Sequence, residues 1–327
     1  MTVKTDLPVS TCWIVTEGLI GLQNQAIGLA QALGLPYVLK VVKKPKGLWK
    51  LFSPGHDLTP PWPDLLISCG RQSAPVAVAI RRASENKTFT VHIQDPFISP
   101  ENFDVVIVPQ HDTMRGGNVL VTKGAINHVN IEKLKIAAER FRPLLAKLPR
   151  PLISVLVGGK NKHQGFNATS GHDFAKKLRL AVTNTGGGLA ITFSRRTGAR
   201  NESIIRKALT GIPSYIWDST GENPYFGLLA LADATVVTND SISMLSEACS
   251  TGKPVYVYEL PHGGKRHKQF CESLVEGGIA RIFSGDIETW KYTPLDETRR
   301  AADFVYKRFL EKGGENKYAN SNSRNTS

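Results

Sequence analysis

A chain of 327 residues, 41% apolar and 21% charged, has an ordinary globular composition, and its length suits two units of about 150 residues each. No apolar run approaches the roughly 20 residues of a membrane span, and residues 1–10 are too polar for a signal peptide, so a cytoplasmic chain is expected. The 41 Lys and Arg against 28 Asp and Glu give a net charge of +13, which favours a polyanionic partner or an anionic membrane surface. No recognition helix, zinc spacing or aromatic RNA-binding motif accompanies that charge, so no specific nucleic-acid partner is expected. Cys12, Cys69, Cys249 and Cys271 are scattered through apolar patterns, which predicts buried free thiols.

In chain order, the pattern predicts a strand at 12–16, a loop at 17–21, a helix at 24–33, and strands near 37–42, 65–69, 89–93 and 104–108, with a helix over 74–82. From the end of the second of these strands toward the third, Lys40, Lys43, Lys44, Lys46 and Lys50 interleave with Leu48, Trp49, Leu51 and Phe52. A basic segment carrying Trp and Phe suits docking on anionic headgroups with aromatic insertion, so residues 43–52 are a candidate membrane contact; the alternative is a solvated loop with its Trp folded back. A longer amphipathic helix over 131–148 leads to the Pro-bracketed 148–151, read as the domain boundary.

The second half restarts with a strand at 152–157, a glycine loop, a helix at 173–183, strands at 189–193 and 214–217 and a helix at 202–209. The segment ADATVVTNDSISMLSEACSTGKPVYVYEL then gives a strand at 234–237, a helix with Ile242, Leu245 and Cys249 on one face, and a strand from 254 to 258. Asp240 reads as the helix N-cap and Gly252 as its stop. A last helix near 297–310 precedes a Gly-, Asn- and Ser-containing tail, 313–327, expected to be disordered. Strands alternating with helices in both halves predict an α/β protein of two doubly wound, Rossmann-like domains.

Polar chemistry gathers at strand ends. TEGLIGLQNQ puts Gly18 and Gly21 in the first loop, and VLVGGKNK puts Gly158 and Gly159 at a strand end beside Lys160 and Lys162. Neither spacing is a Walker loop or the GxGxxG fingerprint, which weighs against ATPase and hydride-transfer chemistry. Asp240, Ser241 and Ser243 fall at a helix N-terminus, where anions bind, and Glu247 lies one turn below Ser243 on the same face, suited to ribose hydroxyls. The serines equally suit simple capping, and glycines at strand ends equally suit turns.

VLVGGK, TFSRRTG and the segment from Ala232 to Leu260 resemble the donor-binding half of GT-B glycosyltransferases. More specifically, TEGLIGLQNQ, ISCGRQSAP, HIQDP, PQHD, RGGNVL, SRRTG and TNDSISMLSEA are similar to a bacterial family related to the plant elongated-mitochondria fission factor. The resemblance implies two Rossmann-like domains, 1–149 and 150–295, meeting at an interdomain cleft, with a helix, 296–312, crossing back to the first. It implies Glu247 as the ribose acid, Asp240, Ser241 and Ser243 at the donor phosphates, and Gly158, Gly159, Lys160, Arg195 and Arg196 around the diphosphate. In the first domain it implies an acceptor side at Gly18, Gly21, Gln23, Arg71 and Gln72. The loop histidine of the peptidoglycan enzyme is missing; Gln23 cannot take up a proton at neutral pH, so Glu17, His92 and Asp95 become the candidate bases, with His111 and Asp112 as strand-end alternatives. The expected function is inverting transfer from a nucleotide-diphosphate sugar to a lipid-linked or envelope acceptor at the inner membrane face, with no cofactor beyond the donor and no metal. The alternative is a non-catalytic, membrane-associated adaptor for a protein partner.

Overall fold

The computed structural model describes residues 9–42, 58–159, 166–261 and 264–323, with side chains to residue 313. The candidate docking segment 43–52 and Lys160 lie outside these residues. By its contacts the chain divides into two units, Met1–His128 with Asp296–Ser327, and Val129–Leu295.

In the first unit β1 (Cys12–Thr16), α1 (Ile20–Ala32), β2 (Val38–Val41), β3 (Leu65–Cys69), α2 (Ala74–Ala83), β4 (Phe89–Ile93), β5 (Val105–Pro109) and β6 (Val119–Thr122) follow in order. The six strands form one parallel sheet in the order β2-β1-β3-β4-β5-β6. Every residue of β1, β3 and β4 is buried, because helices cover both faces of a parallel sheet and leave no solvent side. Helix α1 starts earlier than the sequence reading placed it. Gly18 adopts φ +78, and the N–H groups of Leu22 and Gln23 both reach the Leu19 carbonyl, so Gly21 is helical and not part of the loop.

The second unit contains α3 (Ile131–Leu145), β7 (Leu152–Val157), α4 (Ala168–Thr185), β8 (Gly188–Phe193), α5 (Ala199–Ala208) and β9 (Ser214–Ile216). It continues with α6 (Tyr225–Leu231), β10 (Ala234–Thr238), α7 (Ile242–Cys249), β11 (Val255–Tyr258), α8 (Lys265–Glu276) and β12 (Ala280–Ile282). Its sheet is also parallel, in the order β12-β11-β10-β7-β8-β9. The change of unit falls at His128/Val129 and not at 149/150, since α3 packs on α6: a Cβ on Gly227 would lie 2.6 Å from the Phe141 ring. Asn130 fixes the start of α3 by accepting the Lys133 N–H at 2.8 Å.

The last helix, α9 (Glu297–Ser323), belongs to the first unit. Ala301, Ala302 and Val305 join the core formed by β1, β3, β4 and α1, and the Phe309 ring lies 5.1 Å from that of Phe89. Asp104, accepting from Thr90, Arg81 and Lys312, ties the helix to the sheet. Its backbone runs to Ser323, where the sequence reading placed a disordered tail from 313; once packed turns exist, each further residue adds one hydrogen bond without a new nucleus. Among the described residues no helix is long and apolar enough to cross a membrane. All four cysteines are free and buried.

Candidate functional site

In each sheet the strand order reverses once: between β1 and β3 in the first unit, and between β7 and β10 in the second. Loops leaving the carboxyl ends of such a strand pair run to opposite faces and open a crevice, which is where α/β sheets hold ligands. The segments singled out from sequence, TEGL and CGRQ in one unit and VGG and TNDS in the other, occupy those two positions.

In the second unit the loops are joined through Asp240, whose side chain is enclosed. Its carboxylate accepts the Gly159 N–H at 2.8 Å and the Thr238 hydroxyl at 2.7 Å, and Arg196 approaches it at 3.4 Å. The Gly158 N–H donates to Thr238 Oγ1 at 2.7 Å, and Thr197 donates to the Gly158 carbonyl at 2.5 Å. Burial pushes the Asp240 pKa up, and the Gly159 N–H, Thr238 and Arg196 oppose that shift. Asp240 is therefore a brace between loops and not the expected N-cap. Ser241 caps α7, accepting the Met244 N–H at 3.3 Å.

The glycines serve the same brace. A Cβ on Gly158 would sit 2.0 Å from Asp240 Oδ1, and one on Gly159 would sit 2.0 Å from the Arg196 carbonyl oxygen. Both arginines are exposed, and Arg196 reaches Asp240 with its guanidinium. At the head of α7, Ser241 occupies the Met244 and Leu245 N–H groups through its hydroxyl and carbonyl. The Ile242 and Ser243 N–H groups have no intrahelical acceptor and suit an anion.

Glu247, on the second turn of α7, is 7% exposed. Burial pushes its pKa up to about 7, against the Tyr225 hydroxyl, which donates to Oε2, and the charge of Lys133. Among the described residues no hydrogen bond reaches Oε1. Lys133 extends from α3 with its Nζ 3.9 Å from the centre of the Phe226 ring, and burial lowers its own pKa. Sequence reasoning found Glu247 but missed Tyr225 and Lys133. Tyr225 opens α6, a helix of 7 residues too short for a periodic signal, although the Asn223 turn that accepts its N–H marks the start.

The first unit's crevice is also cross-tied. Glu17 Oε1 accepts the Gln72 N–H at 2.5 Å, and Gly70 turns at φ +95, where a Cβ would press on Leu22 and Glu17. Exposed Arg71 stacks over the exposed Phe97 ring at 4.7 Å. Gln23 is half-buried on α1, and Gly21, in the first turn of that helix, has open space around it. Asp95 accepts the Phe97 N–H at 2.8 Å, a turn-forming contact. His92 is the penultimate residue of β4, but its side chain is fully buried, its Nδ1 2.8 Å from the Ser68 hydroxyl and its ring against Phe103, and burial pushes its pKa down to about 3. Enclosed and neutral, it is unsuited to meeting a substrate, which corrects its place among the candidate bases. Among the described residues no group of three or more His, Cys, Asp or Glu side chains is arranged to hold a metal ion.

The model of the family described as "Mitochondrial fission ELM1" matches residues 20–309. The chain belongs to that family. It is 37% identical to the mitochondrial fission protein ELM1 of Arabidopsis thaliana over 77% of this chain, and it spans 65% of that relative's length. It is 30% identical to the uncharacterized protein RP120 of Rickettsia prowazekii, covering 90% of this chain and 97% of that protein. Among solved structures, UDP-GlcNAc 2-epimerase from Methanocaldococcus jannaschii superimposes with a TM-score of 0.59 at 13% identity, over 92% of this chain and 99% of that one. The same enzyme solved with UDP-GlcNAc and UDP gives 0.55. At that identity the likeness establishes the fold: two parallel, six-stranded Rossmann-like sheets of the GT-B type.

Proposed function

We propose that this family member binds a nucleotide-diphosphate sugar at the carboxyl edge of the second sheet, as a GT-B-type, glycosyltransferase-like protein. The observation that carries the reading is Glu247: a carboxylate 7% exposed, one oxygen held by Tyr225, on the helix that begins at the β7/β10 reversal. In this reading Oε1 accepts ribose hydroxyls, while the α7 N-terminus and exposed Arg195 receive the diphosphate. Solved neighbours of the same fold that carry UDP and UDP-GlcNAc add support. Calorimetric titration with UDP-, GDP- and ADP-sugars tests it. A panel member should bind, and Glu247→Ala should weaken that binding by about 5- to 150-fold, the loss of one charged hydrogen-bond acceptor. Equal affinity in both proteins would overturn the site.

A second reading is a non-catalytic adaptor that meets a protein partner at a membrane surface; the Arabidopsis relative is named for mitochondrial fission. It is favoured by the first unit's crevice, where Glu17 is engaged by Gln72, Asp95 by Phe97, and His92 is enclosed. Inverting transfer to a lipid-linked or envelope acceptor requires a base that can meet the acceptor hydroxyl. Nucleotide-sugar binding without release of nucleoside diphosphate across a panel of lipid and sugar acceptors would support the adaptor; acceptor-dependent release would support the transferase.

A further inference from the structure

Helices α6 and α7 bring Tyr225 and Glu247 into hydrogen-bond contact, and half-buried Lys133 of α3, resting on the Phe226 ring, acts on Glu247 through its charge. A buried carboxylate facing one hydroxyl donor and one distant cation is an expensive arrangement for stability alone, since an apolar trio would pack there without desolvating a charge. The arrangement does suit a carboxylate that must be ionised and correctly turned only when a ligand hydroxyl reaches it. Tyr225 occupies Oε2 and restrains the carboxylate, and among the described residues no hydrogen bond engages Oε1. The Lys133 ammonium, resting on Phe226, supplies positive potential that favours the ionised carboxylate.

We propose that Tyr225 and Lys133 are positioning residues that hold Glu247 ionised and oriented, making capture of a vicinal-diol ligand, the ribose of a nucleotide, a proton-gated event. The proposal rests on the nucleotide reading of the site given above. The carboxylate accepts hydroxyl hydrogens more strongly than the neutral acid, which turns one of its oxygens into a donor, so affinity falls as Glu247 takes up its proton. Among the described residues, the charged and titratable groups acting on Glu247 are Tyr225 from α6 and Lys133 from α3, and both favour its ionised form. The burial-raised pKa, about 7, puts the transition in the neutral range.

The experiment is a calorimetric pH series, from pH 5.5 to 9, with UDP as probe on wild type, Tyr225→Phe, Lys133→Met, Lys133→Arg and Glu247→Gln, with folding checked by circular dichroism. Wild type should bind with a midpoint near pH 7, below which affinity falls about tenfold per pH unit. Tyr225→Phe should move that midpoint upward by about one to two pH units, the value of one hydrogen bond to a charged group. Lys133→Met should move it the same way, Lys133→Arg should restore it, and Glu247→Gln should bind weakly and lack the midpoint near pH 7, keeping only the titration of UDP's own terminal phosphate at about pH 6. If wild type binds and Glu247→Gln does not, but Tyr225→Phe and Lys133→Met keep the wild-type midpoint, the inference falls and the nucleotide site stands. If wild type binds neither UDP nor GDP nor ADP, each tried in turn as the probe, at any pH, both fall. A change in melting temperature alone, without movement of the midpoint, marks a purely structural pair and also overturns the inference.

Discussion

Replacing Glu247 by Gln should make the protein more stable at alkaline pH while removing the acceptor that the site needs. The folded-state pKa of Glu247, about 7, lies above its ordinary 4.5 because burial disfavours the charged form. Folding therefore favours the protonated acid, and the associated stability is complete below about pH 4.5 and lost as the pH rises through about 7. The shift corresponds to about 3 kcal/mol at about 1.4 kcal/mol per pH unit. Gln does not titrate and still accepts from Tyr225, so it escapes that loss. Urea denaturation of wild type and Glu247→Gln, followed by circular dichroism at pH 4 and pH 8.5, reads the effect directly. The stability difference in favour of Gln should be larger at pH 8.5 by about 3 kcal/mol. A difference that is the same at both pH values would show that Glu247 keeps an ordinary pKa, and the account of its burial would fail. Sites that bind ligands commonly hold groups that stability alone would replace.

Gly158→Ala should lower the melting temperature, because its Cβ would meet Asp240 Oδ1 at 2.0 Å in a network that cannot step aside; overpacking of this kind costs about 1–3 kcal/mol. Gly21→Ala is the matched control, with nothing within 4 Å and a helical position, so it should leave stability unchanged or raise it slightly; equal losses in both variants would refute the steric account. Replacing Lys43, Lys44, Lys46 and Lys50 with Ser should weaken co-sedimentation with anionic vesicles, most clearly at low salt, and unchanged binding would remove this segment as the membrane contact.

Much of the architecture is legible in the order of the residues. Runs such as Leu65–Cys69 and Leu152–Val157 declare strands buried on both faces, and the glycines and polar residues after them mark the carboxyl ends where ligands bind. Those signals are local: a residue and its near neighbours fix whether the chain extends, coils or turns. Not every element is legible: α6, of 7 residues, is too short for a helical period, β12, of 3, carries little pattern, and α8, of 12, has no helix assigned to it from the sequence.

The site's chemistry depended on partners that the sequence keeps apart. Asp240 reads locally as a helix cap, yet its carboxylate is taken by Gly159, 81 residues away, and by Arg196, 44 away, once β7, β8 and β10 lie side by side. His92 reads as a strand-end base, but the register that sets it opposite Ser68 puts it inside the sheet. Glu247 could be picked from its spacing to Ser243, whereas its neutral-range pKa depends on α3 and α6 closing over α7 with Lys133 and Tyr225. Sequence determined which groups stand at the strand ends, because backbone geometry there is short-range. Only the packed structure decided which of them are occupied by one another, because burial and hydrogen bonding are set by residues brought together across the sheet.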